Sequence, residues 1–115
     1  MVKRNASYEV KIVENMRGGD GSVKIEHLLT PDELYNKGRL FAKIILEPGC
    51  SIGFHVHENE MEAYTVISGE AEYDDKGEIL KLYPGDTTFT PAGEGHAVKN
   101  CGDTTLELIA LILFV

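Results

Sequence analysis

Residues 49–69 read GCSIGFHVHENEMEAYTVISG, and the reading of this stretch decides the fold. Glu47-Pro48-Gly49 precedes it and Ser68-Gly69 closes it, while the residues between are rich in Ile, Val, Thr, Tyr and Phe. Runs of that composition between turn residues are strands. The same punctuation starts near Arg39 and continues through Asp74-Asp75-Lys76-Gly77, Tyr83-Pro84-Gly85-Asp86, Pro91-Ala92-Gly93-Glu94-Gly95 and Asn100-Cys101-Gly102-Asp103. Turn signals at this interval predict an all-β fold, an antiparallel sandwich or barrel. Twelve glycines in 115 residues fit many short strands. The one good helix start is Thr30-Pro31-Asp32-Glu33, with Thr30 as N-cap and two acids in the first turn, and it predicts a helix of one or two turns. Gly18-Gly19-Asp20-Gly21-Ser22 reads as a plain loop.

Within the quoted stretch His55 and His57 lie two apart. Side chains at i and i+2 of a strand share a face, so two imidazoles can converge on one metal ion. A carboxylate near them would complete such a site, and Glu60 and Glu62 share strand parity, so either could reach inward.

The spacing is more specific than the histidine pair. Gly49, His55, His57, Glu62 and Gly69 follow G-x5-H-x-H-x4-E-x6-G, and Gly85, Pro91, Gly93, His96 and Asn100 follow G-x5-P-x-G-x2-H-x3-N. The two blocks resemble the signature motifs of the cupin superfamily. That resemblance implies a jelly-roll barrel of the double-stranded β-helix type, with residues 1–115 as a single cupin domain, motif 1 at 49–69 and motif 2 at 85–100. It also implies one divalent transition metal ion (Mn, Fe, Ni, Co or Zn) held by His55, His57, Glu62 and His96. Under the family's shorter spacing the fourth position would be Met61, which offers no oxygen. Three neutral imidazoles and one carboxylate leave a divalent ion with net charge near +1 and, if six-coordinate, two open positions suited to a bidentate anion.

Residues of matching parity extend the expected pocket: Ser51 and Gly53 before His55, Tyr64 and Val66 after Glu62, Val98 and Asn100 after His96. Tyr64 is the tentative catalytic residue, able to donate a hydrogen bond to a bound anion or to act as acid or base if its pKa falls; a packed core tyrosine is the plainer reading. Leu40, Ala42, Ile44 and Leu46 form a core face, which puts Arg39 and Lys43 in solvent, although a strand at the barrel mouth could aim Arg39 at an anionic substrate. If the strands of His55 and His96 are antiparallel neighbours without a bulge, Cys50 faces Cys101 and the thiols could pair on oxidation.

Composition narrows the partners. Eleven Lys and Arg against nineteen Asp and Glu give a net charge of −8, which disfavours nucleic acid and anionic membrane surfaces. The start MVKRNASYEVKIV lacks the apolar run of a secretory signal, so a cytoplasmic location is expected. Leu106–Val115 is apolar on both strand faces from Leu108 onward, is too short to span a bilayer, and predicts cover by a second copy, a homodimer, ahead of cover by the N-terminal segment. For function the sequence favours a metal-dependent enzyme acting on a small polar ligand such as a carboxylate, sugar derivative or diol. The alternative is a non-catalytic small-molecule or metal-binding module. Oxalate decarboxylases of the family place an arginine three residues before the first histidine, where this chain has Ile52, and thiol dioxygenases commonly lack the glutamate; both readings lose ground.

Overall fold

A computed structural model describes residues 1–115. The chain forms ten strands: β1 Glu9–Glu14, β2 Ser22–Leu29, β3 Gly38–Leu46, β4 Ser51–Val56, β5 Glu60–Ser68, β6 Ala71–Asp75, β7 Glu78–Leu82, β8 Thr87–Thr90, β9 Gly95–Asn100 and β10 Leu106–Phe114. One sheet has the order β1-β2-β3-β10-β5-β8 and the other β4-β9-β6-β7. The pairings are antiparallel throughout. Two such sheets closing over a shared core make the antiparallel all-β fold that the turn spacing predicts, in the jelly-roll form that the motif resemblance implies.

Period-two alternation explains which residues fill that core. Ala42, Ile44 and Leu46 of β3, Tyr64 and Val66 of β5, and Leu106, Leu108, Ala110 and Ile112 of β10 are all buried. β10 lies between β3 and β5 in the middle of the larger sheet, so its inward row sits at the centre of the core. Each large aliphatic buried there contributes about 1.5–3 kcal/mol. The outward row, Ile109, Leu111 and Leu113, is only half-buried by its neighbours. The N-terminal strands β1 and β2 extend the edge of this sheet beyond β3.

Two local expectations change. Thr30 and Glu33 do form a reciprocal cap, Thr30 N–H donating to Glu33 Oε1 at 2.9 Å and Glu33 N–H to Thr30 Oγ1 at 3.2 Å. The helix nonetheless stops at a run of turns over 31–36, because Tyr35 and Asn36 enter the left-handed region (φ 53° and 57°) and break the helical path.

The second change concerns register. Ser51 faces Lys99 and Ile52 faces Val98, but His55 faces His96, so three steps along β4 match two along β9. An extra residue is bulged out between Ile52 and His55. Cys50 is thereby set against Asn100, whose N–H donates to the Cys50 carbonyl at 3.0 Å, and does not face Cys101. Both thiols are free, Cys50 half-buried and Cys101 exposed. The same bulge reverses parity before His55: Ile52 points inward at 3% exposure, whereas Ser51 and Gly53 lie on the other side, against the loop at Gly19.

Candidate metal centre

β4 carries His55, the segment just after it His57, β5 Glu62 and β9 His96. His57 is held at the barrel rim by the Pro91–Gly95 turn, donating its N–H to the Glu94 carbonyl at 3.0 Å and accepting the Gly93 N–H at 2.7 Å. Gly93 adopts φ 89°, a conformation that a side chain would strain. The turn that delivers His96 therefore also fixes His57.

The four side chains meet at one point, with one ligand atom from each within 4.8 Å of the others. His57 Nε2 and His96 Nε2 stand 2.8 and 2.9 Å from Glu62 Oε1, and His55 Nε2 stands 3.9 Å from it. His96 Nε2 is 3.1 Å from His57 Nε2 and 3.2 Å from His55 Nε2.

Every Nδ1 has a partner behind it. His55 Nδ1 lies 2.8 Å from the Gly53 carbonyl, His57 Nδ1 2.9 Å from Glu60 Oε1, and His96 Nδ1 2.8 Å from Tyr73 Oη and 3.1 Å from Thr90 Oγ1. A carbonyl only accepts, so His55 carries its proton on Nδ1, and the Glu60 carboxylate imposes the same on neutral His57. With both rings neutral in that form, their Nε2 lone pairs face the Glu62 oxygen, at 2.8 Å for His57 and 3.9 Å for His55, an arrangement that only a shared proton or a cation among them makes favourable. Imidazoles oriented from behind by carbonyl, carboxylate and hydroxyl groups are what a metal site requires. The donor set fits one divalent ion.

The electrostatics agree. Burial works to raise the Glu62 pKa, but hydrogen bonds with His55, His57 and His96 outweigh it and hold the carboxylate below its usual range. Glu62, chiefly, and then Glu60 raise His57 against the opposing effect of burial, while burial lowers His96. Tyr64 is fully buried and stacks on His96, ring centres 4.9 Å apart at 16°. Burial, with Glu62 beside it, pushes the Tyr64 pKa well up, which favours the protonated phenol, a hydrogen-bond donor.

A cavity of about 670 Å³ opens onto His55, His57 and Glu62. Leu40, Ile44, Ile52 and Ile112 give it an aliphatic patch, while Tyr64, His27 and Arg39, with Glu9, Lys11, Glu14 and Arg17 from the N-terminal segment, make the rest of the wall polar. Of the residues expected to extend this pocket, Tyr64 lines it; Ser51 and Gly53 are replaced by Ile52 because of the bulge. Asn100 is buried elsewhere, its amide donating to the Leu46 and Thr104 carbonyls. Lys43 is half-buried beside Glu26.

Arg39 keeps 43% side-chain exposure but does not stand free in solvent: it forms a two-pronged ion pair with Glu60, Nε to Oε2 at 2.7 Å and Nη2 to Oε1 at 2.6 Å. Glu60, Tyr73 and Thr90 form the outer layer of the site, and sequence reading missed all three. Glu60 alone left a trace, in its shared parity with Glu62; Tyr73 reaches His96 from β6, 23 residues away, and Thr90 from the end of β8, across the Pro91–Gly95 turn. The turn Met16–Gly18 completes the surround, with the Arg17 carbonyl packed so closely on Gly53 that an added Cβ would lie 2.1 Å from it.

A barrel of this topology with such a site defines a class, and sequence comparison agrees with it. A family model described as the cupin domain matches residues 42–112, and the chain belongs to that family. It is 42% identical over its whole length to a protein of Thermotoga maritima named oxalate-binding protein, covering 95% of that relative. A crystal structure from Thermotoga maritima described as a predicted oxalate decarboxylase superposes with a TM-score of 0.96 at 42% identity, covering all of both chains. The cupin domain of an XRE family transcriptional regulator from Enterobacter cloacae is more distant, with a TM-score of 0.70 at 26% identity over 81% of this chain and 97% of that one. No helix is long and apolar enough to cross a membrane.

Proposed function

We propose that the chain binds a small bidentate carboxylate at a divalent metal ion held by His55, His57, Glu62 and His96, with oxalate, the ligand in its relative's name, as the first candidate. The observation that carries this reading is the convergence of three imidazoles and one carboxylate at the base of a cavity whose wall joins an aliphatic patch to the cations Lys11, Arg17 and Arg39. Bound there, a divalent ion supplies a Lewis-acidic centre for chelating carboxylate oxygens. The protein's part is to bind and orient. Leu40, Ile44, Ile52 and Ile112 exclude water around the ligand, Tyr64 offers a protonated hydroxyl as donor, and Arg39 adds positive charge.

Binding is favoured over turnover because the two carboxylates in contact with the imidazoles are committed: Glu62 to all three rings, Glu60 to Arg39 and His57. Ile52 is apolar at the position where decarboxylases of the family carry arginine. One observation supports the enzymatic reading, namely that His27 and Tyr64 line the same cavity and pair an imidazole with a phenol beside the ligand.

Calorimetry of the metal-loaded chain decides between the readings. Oxalate binding that needs the metal, without release of formate or carbon dioxide, supports the binder. Product formation that disappears in His27→Ala supports the enzyme, and no oxalate binding at all rejects the ligand assignment.

The remaining expectations belong to the same proposal. Residues 1–115 act as one domain, in the cytoplasm, with no nucleic-acid partner at a net charge of −8. A second copy covers the half-buried outer row of β10, Ile109, Leu111 and Leu113.

A further inference from the structure

Arg39 occupies a place that strand parity does not predict. On β10, Ile112 faces Leu40 but Leu113 faces Gly38, so Arg39 is an extra residue on β3 with no partner opposite. A bulge of this kind re-aims its side chain, and here the guanidinium turns to Glu60. Glu60 is 9% exposed, and its carboxylate makes three contacts: Oε2 accepts from Arg39 Nε, while Oε1 accepts from Arg39 Nη2 and from His57 Nδ1. Two parallel N–H donors fix the plane of a carboxylate as well as its position. His57 is the only imidazole of the three whose Nδ1 meets a charged group; His55 meets a carbonyl and His96 two hydroxyls.

We propose that Glu60, clamped by Arg39, is the positioning residue of the site: it holds neutral His57 with its proton on Nδ1 and so presents Nε2 to the metal. The inference rests on the metal-site reading above for its second half, and on the contacts alone for its first. Without Glu60 the Nδ1–H would have no acceptor, and the neutral ring could place its proton on Nε2, beside Glu62, where it blocks coordination.

The test uses the full chain, stripped of metal, at a pH where His57 is neutral. Long-range 1H–15N spectra of the wild type are expected to show His57 with its proton on Nδ1. Glu60→Ala is expected to shift the ring toward Nε2–H and to weaken Zn2+ or Co2+ binding about 10–100-fold. Glu60→Gln, whose amide oxygen can still accept from Nδ1–H, recovers part of both. Arg39→Met leaves Glu60 in place and weakens binding by a smaller factor. A Glu60→Ala chain with wild-type tautomer and metal affinity within about twofold of wild type overturns the proposal. If that variant does not fold, the same unchanged values in both Glu60→Gln and Arg39→Met overturn it. Failure of the wild type to bind any metal would reject the metal-site reading, while the tautomer spectra still decide whether Glu60 positions His57.

Discussion

His57 is the residue on which the chemistry of the site turns. Carboxylates sit at both of its nitrogens, Glu62 at Nε2 and Glu60 at Nδ1, and they raise its pKa above the ordinary 6.5. In the metal-free chain that rise stabilises the fold below about pH 6.5, and the contribution is lost as pH climbs through the raised folded value. Metal binding runs the other way, because a ligand nitrogen must first shed its proton. Metal affinity is therefore expected to be full above the raised pKa and to fall about tenfold per pH unit below it. A titration of Zn2+ affinity between pH 5 and 9 checks this; a flat profile would show that His57 does not supply the coordinating nitrogen. Replacing His55 and His57 by alanine should leave protein that elemental analysis finds free of metal.

At the scale of elements, the bulge in β4 is the decisive feature. It swaps Ile52 for Ser51 and Gly53 in the cavity wall and brings Gly53 against the turn at Met16–Gly18. Gly53 also supplies the carbonyl that orients His55. A Cβ at this position would stand 2.1 Å from the Arg17 carbonyl, so strand or turn must move. Gly53→Ala is expected to cost about 1–3 kcal/mol in denaturant unfolding, as overpacking does, and to weaken metal binding in the same protein. Loss of stability with metal affinity untouched would separate the turn from the site. The segment that braces the site thus lies before the family-matched residues 42–112.

For the whole molecule, the open question is what covers the outer face of the larger sheet. β10 is its central strand, and Ile109, Leu111 and Leu113 form a row there that is left half-buried. Under the proposed pairing about a two-fold axis, the same row of each copy would lie against the other. Light scattering is expected to give twice the chain mass for the wild type, and Leu111→Glu is expected to give the monomer with the strand content unchanged. A wild-type chain that stays monomeric at high concentration would remove the second copy from the account.

The sequence by itself determined an all-β fold and the inward row on β3, and its two motif blocks, through their resemblance to the cupin signatures, implied the jelly roll and the histidines and glutamate that the fold brings together. The strands and the inward row follow from period-two alternation and turn residues, which act over a few neighbours along the chain. Only the tertiary structure decided that Cys50 does not face Cys101, that Ile52 lines the cavity, that Tyr64 is buried against His96, and that Arg39 clamps Glu60 behind His57. The first, second and fourth depend on a single extra residue in a strand, which shifts register and reverses which side chains face inward. The placement of Tyr64 depends on packing against His96. Cross-strand register and burial are set by partners distant along the chain, and no local pattern of residues encodes them.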